Sequence, residues 1–252
     1  MWGALEDGAL NRIVVVSPHF DDAALGAAHL IGPHPACTVV TVMGGRPDVY
    51  PTEVSEWDAA GGFQAGDDIV AVRREEDREA MALLGAGTEW LEFVDHQYVE
   101  PLRRPTPADV APVLGRAVRD IGPTAVFLPM GLANPDHGLT HAAGLLVRDS
   151  LGAGPGAPRW FVYEDAGYKH LPGLLAWRIS TLFRRGLWPT PSVVPMQVDM
   201  AAKGAAIACY ASQVAPLEHE HLLAERLDAN VPEQYWRLAP PPRGWEALSE
   251  FI

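Results

Sequence analysis

Two short apolar runs, Ile13-Val14-Val15-Val16 and Ala125-Val126-Phe127-Leu128, constrain this chain most, because each leads at once into residues that carry chemistry. An uninterrupted apolar run of this length reads as a strand buried on both faces, and such strands belong to parallel sheets covered by helices. The first run enters Ser17-Pro18-His19-Phe20-Asp21-Asp22, and the second is followed by Asn134-Pro135-Asp136-His137. Open α/β sheets collect ligands outside the carboxyl ends of their strands, most often where the strand order reverses. Both segments are therefore predicted to meet at one crevice.

The rest of the chain alternates in the same way. Strands are predicted over residues 12–17, 38–43, 90–94, 125–128, 160–163 and 193–198. Helices are predicted from Asp21 or Asp22 to Leu30, over 73–84, from a Thr106 cap with Pro107 at the first position to Gly122, over 136–150 and over 200–210. Residues 45–68 read as a long polar loop and a mobile cover for the crevice, with Trp57 or Phe63 meeting the substrate. Arg73, Arg74, Glu75, Glu76, Asp77 and Arg78 read as a solvated helix face. The aromatic and basic stretch 171–191 has no clean period and is left unassigned, and Pro240-Pro241-Pro242 leads into a short tail ending in Trp245 to Ile252. Alternating strands and helices give an α/β fold, a mostly parallel sheet with helices on both faces. At 252 residues and 48% hydrophobic content, one domain over 1–252 is expected.

A formal net charge of −13 argues against a nucleic-acid partner, which needs a basic face. No run approaches the roughly 18 apolar residues of a membrane span. The N-terminus lacks the basic and apolar regions of a signal peptide. Cys37 and Cys209 show no pairing pattern and read as free thiols. A reducing, cytoplasmic setting is expected. Ala24-Leu25-Gly26 does not complete a GxGxxG fingerprint, so no dinucleotide is expected.

Within the crevice, His19 and Asp22 lie three positions apart on a strand-to-helix turn, and His137 arrives from the second strand end. Imidazole and carboxylate donors suit zinc, and hydrolytic zinc sites keep three protein ligands plus a position for water. Asp21, beside a ligand but free of the metal, is placed to act as the base. His141, four residues beyond His137, reads as a helix-surface or supporting histidine, and Asp136 either caps its helix or orients a ligating histidine. Asp95 binds sugar hydroxyls or forms a turn, while Glu164 and Asp165 read as idle rim carboxylates.

The first segment resembles the PHPDD signature of the PIG-L or LmbE-like zinc deacetylases, and the second resembles their HPDH signature. Trp57-Asp58 with Gly62-Phe63, Asp95-His96-Gln97-Tyr98, Tyr163-Glu164-Asp165 and Tyr210-Ala211-Ser212-Gln213 fit the same group. The resemblance implies a Rossmann-like fold and one zinc ion held by His19, Asp22 and His137, with Asp21 as base. It further implies hydrolysis of an N-acetyl or N-acyl group on an amino sugar, with a small molecule or glycoconjugate as substrate. Phe20 and Asn134 depart from the family pattern. Asn134 replaces a histidine; its amide can donate to an oxyanion but cannot act as an acid, and His96 is a candidate to serve instead. Two other readings stand beside this one: an amidase of a thiol or natural-product conjugate with the same chemistry, and a non-catalytic metal-binding relative.

Overall fold

The computed structural model describes residues 8–229 and 231–239. Strands β1 (Ile13–Ser17), β2 (Cys37–Thr41), β3 (Gly87–Trp90), β4 (Ala125–Pro129) and β5 (Arg159–Tyr163) run parallel, and β6 (Trp188–Ser192) and β7 (Tyr235–Ala239) extend the sheet antiparallel. The helices are α1 (Asp22–Ile31), α2 (Glu56–Ala60), α3 (Ile69–Leu84), α4 (Pro107–Ile121), α5 (Pro135–Leu151), α6 (Leu174–Arg184), α7 (Met200–Ala208), α8 (Ala211–His221) and α9 (Leu223–Ala229). This is the α/β, mostly parallel architecture that the sequence pattern predicts.

Strand order is β3-β2-β1-β4-β5-β7-β6. The chain moves outward from β1 through β2 to β3, then returns to lay β4 along the free side of β1. Ile13, Val14 and Val15 pair with Ala125, Val126 and Phe127. The carboxyl ends of β1 and β4 thus flank the point where strand order reverses, which is where an open sheet leaves a crevice.

Side-chain alternation splits the core into two layers. Ile13, Val15, Phe127, Phe161 and Tyr163 face the apolar sides of α1, α3 and α7. Val14, Val16, Val126, Leu128 and Val162 face α4 and α5. Gly26 sets how closely α1 approaches the sheet: a Cβ there would lie 2.8 Å from the Tyr163 ring. That approach leaves Tyr163 spanning the layer, its hydroxyl donating to Val16 O at 3.0 Å.

Several elements differ from their prediction. The third strand occupies Gly87–Trp90 instead of residues 90–94, and Phe93 lies beyond it, accepting from Gly45 N at 2.8 Å. Residues 193–198 form no strand, and Val193 is 91% exposed. The nearby strand is β6, whose Pro189 and Pro191 mask it in sequence; proline is tolerated there because β6 is a sheet edge. Its partner β7 was not foreseen. The loop 45–68 contains α2, capped by Ser55 Oγ, which accepts from Asp58 N at 3.1 Å. The 73–78 stretch is not a solvated face throughout: Arg73 and Asp77 are buried. The proline run and tail expected over 240–252 lie outside the described residues, as does the N-terminal segment 1–7.

Candidate active site

The turn after β1 is built so that its carboxylates are not spent on capping. Ser17 Oγ accepts from Ala23 N at 3.0 Å and donates to His19 O at 2.6 Å, holding the first turn of α1. Asp21 occupies the cap position but makes no side-chain cap bond, leaving its carboxylate to the crevice. Asp22 Oδ2 accepts from His19 N at 2.9 Å and lies 3.3 Å from His19 Nδ1.

The second segment enters from the β4 side. Ala133 adopts a left-handed φ of 54°, a conformation that costs an L residue about 1–2 kcal/mol, and Asn134 follows as the cap of α5. Asn134 Oδ1 accepts from Asp136 N at 2.8 Å, so its amide nitrogen remains as the donor. One turn later, His137 Nε2 stands 3.2 Å from the same Asp22 Oδ2 that faces His19.

Both imidazoles are held from behind. His137 Nδ1 is 2.6 Å from Asp165 Oδ1, and His19 Nε2 is 3.1 Å from Asp136 Oδ2. A carboxylate on the far nitrogen of a ligating histidine fixes its tautomer and orientation and raises its basicity. Asp136 therefore orients a histidine and does not cap. Asp165, expected to idle at the rim, is buried and holds His137 while accepting from Leu132 N at 3.2 Å. Its position at the carboxyl end of β5, beside β4, was the available signal.

The carboxylates draw positive charge into the crevice. Burial alone would push the His137 imidazole down, but Asp22 and Asp165 carry it to about 9. His19 is likewise lifted well above its usual value by Asp136 and Asp22 against its burial. Asp22 would rise on burial, yet His137 and His19 hold it far below the carboxylate range. Asp21 moves the other way: burial, then the neighbouring Asp22 charge, raise it to about 7. A divalent cation facing His19 Nδ1, His137 Nε2 and Asp22 Oδ2 would replace those protons, and the N/N/O donor set suits zinc.

The crevice, of about 350 Å³, is lined by these residues together with Asn134, Asp95, His96, Trp57, Arg73 and Tyr168. His96 Nδ1 reaches Asp136 Oδ2 at 2.9 Å, and Asp136 followed by Asp95 raises the ring to about 9. Asp95 is fixed by Gln97, whose backbone N donates to it at 2.9 Å. Trp57 lines the wall, its Nε1 donating to Gln213 Oε1 at 3.1 Å. Phe63 is not among the lining residues: the Arg73 guanidinium lies 5.5 Å from its ring centroid. The loop carrying both aromatics is tied down, since Arg73 Nη2 donates to Asp58 Oδ1 at 2.7 Å and Tyr98 OH donates to Asp58 Oδ2 at 2.8 Å. Sequence reasoning missed Tyr168, which is hydrogen-bonded to Asn134 and sets its ring 5.2 Å from that of His137, edge on. His141 is a core histidine, its Nδ1 donating to Pro129 O at 2.8 Å. Glu164 is structural, accepting from Trp236 Nε1 at 2.9 Å.

A switch-point crevice with two carboxylate-backed histidines, a facing carboxylate and a second, raised aspartate defines a hydrolase-type α/β protein. The family model for PIG-L, GlcNAc-PI de-N-acetylase, matches residues 14–147, a span that holds both signature segments, and the chain belongs to that family of amide-hydrolysing N-deacetylases. Among solved structures, the A40926 pseudoaglycone deacetylase Dbv21 is 25% identical, with TM-score 0.72 over 91% of this chain and 98% of its own. The zinc-inhibited form of teicoplanin deacetylase Orf2 is 22% identical, with TM-score 0.74 over 92% and 100%. The N,N'-diacetylchitobiose deacetylase of Pyrococcus horikoshii is 21% identical, with TM-score 0.53 over 92% and 84%. No curated protein matches the chain.

Proposed function

We propose that this protein removes the acetyl group from the nitrogen of an amino sugar within a glycoconjugate, using a divalent ion, zinc, held by His19, Asp22 and His137. The observation that carries this is the convergence of His19 Nδ1 and His137 Nε2 on Asp22 Oδ2 at 3.3 and 3.2 Å, with each ring's other nitrogen against a carboxylate. The deacetylases it resembles, of the A40926 pseudoaglycone and of N,N'-diacetylchitobiose, support the same substrate class.

The ion would supply Lewis acidity and a water whose pKa falls toward about 7. Asp21, buried and raised to about 7, accepts the proton of the attacking water. The Asn134 amide nitrogen, left over from capping and backed by Tyr168, donates to the oxyanion that forms on the acyl carbon. Asn134 carries no acidic proton, so the departing amine takes its proton from His96, whose ring is held at the crevice by Asp136 and Asp95. Asp95 and Trp57 contact the sugar.

The test is acetate release by the zinc-reconstituted protein from a panel of N-acetylated sugars, glycoconjugates and thiol conjugates. Acetate from at least one glycoconjugate is expected, with Asp21→Asn keeping its metal but losing on the order of 10²-fold or more in turnover. Near-normal turnover in Asp21→Asn, or no acetate from any glycoconjugate, contradicts the proposal.

A further inference from the structure

A second knot of donors lies against the outer edge of His19. His19 Nε2 is 3.1 Å from Asp136 Oδ2 and 3.8 Å from Asp95 Oδ2. His96 Nδ1 is 2.9 Å from Asp136 Oδ2 and 3.2 Å from Asp95 Oδ1. One donor atom from each of the four residues can be chosen so that all lie within 4.8 Å of one another. Donors placed tetrahedrally on bonds of about 2.0–2.1 Å stand roughly 3.3–3.4 Å apart. The 3.1 and 2.9 Å separations from Asp136 Oδ2 lie near that value, and Asp95 can offer either Oδ1 to His96 at 3.2 Å or Oδ2 to His19 at 3.8 Å. The 3.3 and 3.2 Å separations within the His19, Asp22 and His137 set lie close to it as well.

We propose that His19 Nε2, Asp95, His96 Nδ1 and Asp136 form a second site for a divalent transition metal, adjoining the three-donor site; filling it releases the His19 Nε2 proton to solvent, so that the ring bridges the two ions as imidazolate. Two nitrogens and two carboxylate oxygens favour zinc or its neighbours over magnesium and calcium, which take all-oxygen shells. The donors are fixed without an ion. Gln97 N and Nε2 hold Asp95 at 2.9 and 3.1 Å, and His96 N holds Asp136 at 3.0 Å. Four protein donors close the shell, whereas catalytic zinc sites keep a position open. An ion here would sequester His96 and Asp136, the pair assigned above to protonate the departing amine. The second site is therefore inhibitory: turnover rises as the first site fills and falls as the second does. That consequence rests on the proposed function; the existence of the site does not.

The experiment is titration of chelator-stripped protein with zinc by calorimetry, repeated with cobalt to follow its visible absorption. Two equivalents per chain are expected, the second weaker. His96→Ala and Asp95→Asn should each weaken the second equivalent at least tenfold while leaving the first within about twofold, since losing even a supporting partner of a metal ligand typically costs 10–100-fold in affinity. His137→Ala should do the reverse. Asp95→Asn is nearly isosteric and keeps the test valid should His96→Ala fail to fold. One equivalent in the parent protein, or a second one unmoved by both His96→Ala and Asp95→Asn, overturns the site. If His137→Ala leaves the first equivalent intact, the three-donor assignment fails instead. In the acetate assay, inhibition by excess zinc should move to at least tenfold higher zinc in Asp95→Asn; unchanged inhibition overturns the inhibitory role.

Discussion

His141 and His137 sit one helical turn apart, yet their surroundings drive them in opposite directions. His137 looks into carboxylates and is held at about 9, while burial and then Arg178 push His141 down to about 3. The His141 ring stays neutral in the folded protein but takes a proton near 6.5 when unfolded, so its contribution to stability is complete above about pH 6.5 and shrinks as pH falls toward 3. The slope is about 1.4 kcal/mol per pH unit. His141→Gln should therefore unfold less steeply with acid between pH 6.5 and 5, measured by urea melts; a slope equal to the parent's would contradict the assignment. Asn134 allows a cleaner separation, because its oxygen caps α5 while its nitrogen is the atom proposed to meet the oxyanion. Asn134→Asp should keep stability within about 0.5 kcal/mol and lose on the order of 10²-fold in turnover. Asn134→Ala should lose both, with about 1 kcal/mol from the cap. An Asn134→Asp variant as active as the parent would place the amide outside the reaction. The sequence displayed His19, Asp21, Asp22 and His137 because they stand in two compact segments. It hid the roles of Asp165 and Tyr168, because what they do depends on neighbours more than twenty residues away.

Arg73 and Asp58 show how a helix and a loop are joined. Asp58 is 1% exposed in the middle of α2, and its carboxylate is met by the Arg73 guanidinium from α3 and the Tyr98 hydroxyl. Breaking a buried pair by removing one partner leaves an uncompensated charge and costs about 3–5 kcal/mol. Arg73→Met should lower unfolding stability by about that much in urea titrations, and Arg73→Met with Asp58→Leu should recover most of it. A loss below about 1 kcal/mol would show that the loop is anchored elsewhere. The sequence pattern placed α3 from Arg73 to Leu84 but missed its first turn, Ile69 to Val72, and its charged sequence suggested a wet face. Charge says nothing about which partners a loop will bring, and this loop brings Asp58. In the same way β6 was unreadable because Pro189 and Pro191 are strand signals only at a sheet edge, and edge position is a property of the finished sheet.

The sheet order makes the chemistry possible. Two segments more than a hundred residues apart meet because β1 and β4 are neighbours at the reversal of strand order. The buried β-branched pattern made the parallel part of that sheet legible, and the alternation of strands and helices made the crevice legible with it. The antiparallel extension through β7 and β6 was not legible, since β6 carries two prolines and β7 sets Arg237 among its apolar residues. Among the described residues no helix is long and apolar enough to cross a membrane. The most direct measurement of the central claim is metal content and acetate release on the same samples of parent, His137→Ala and Asp22→Ala protein, each first stripped and then offered one equivalent of zinc. The expected result is one tightly held ion and acetate release in the parent, with both lost together in the two variants while circular dichroism shows them folded. Folded variants that keep the ion and the activity would contradict it.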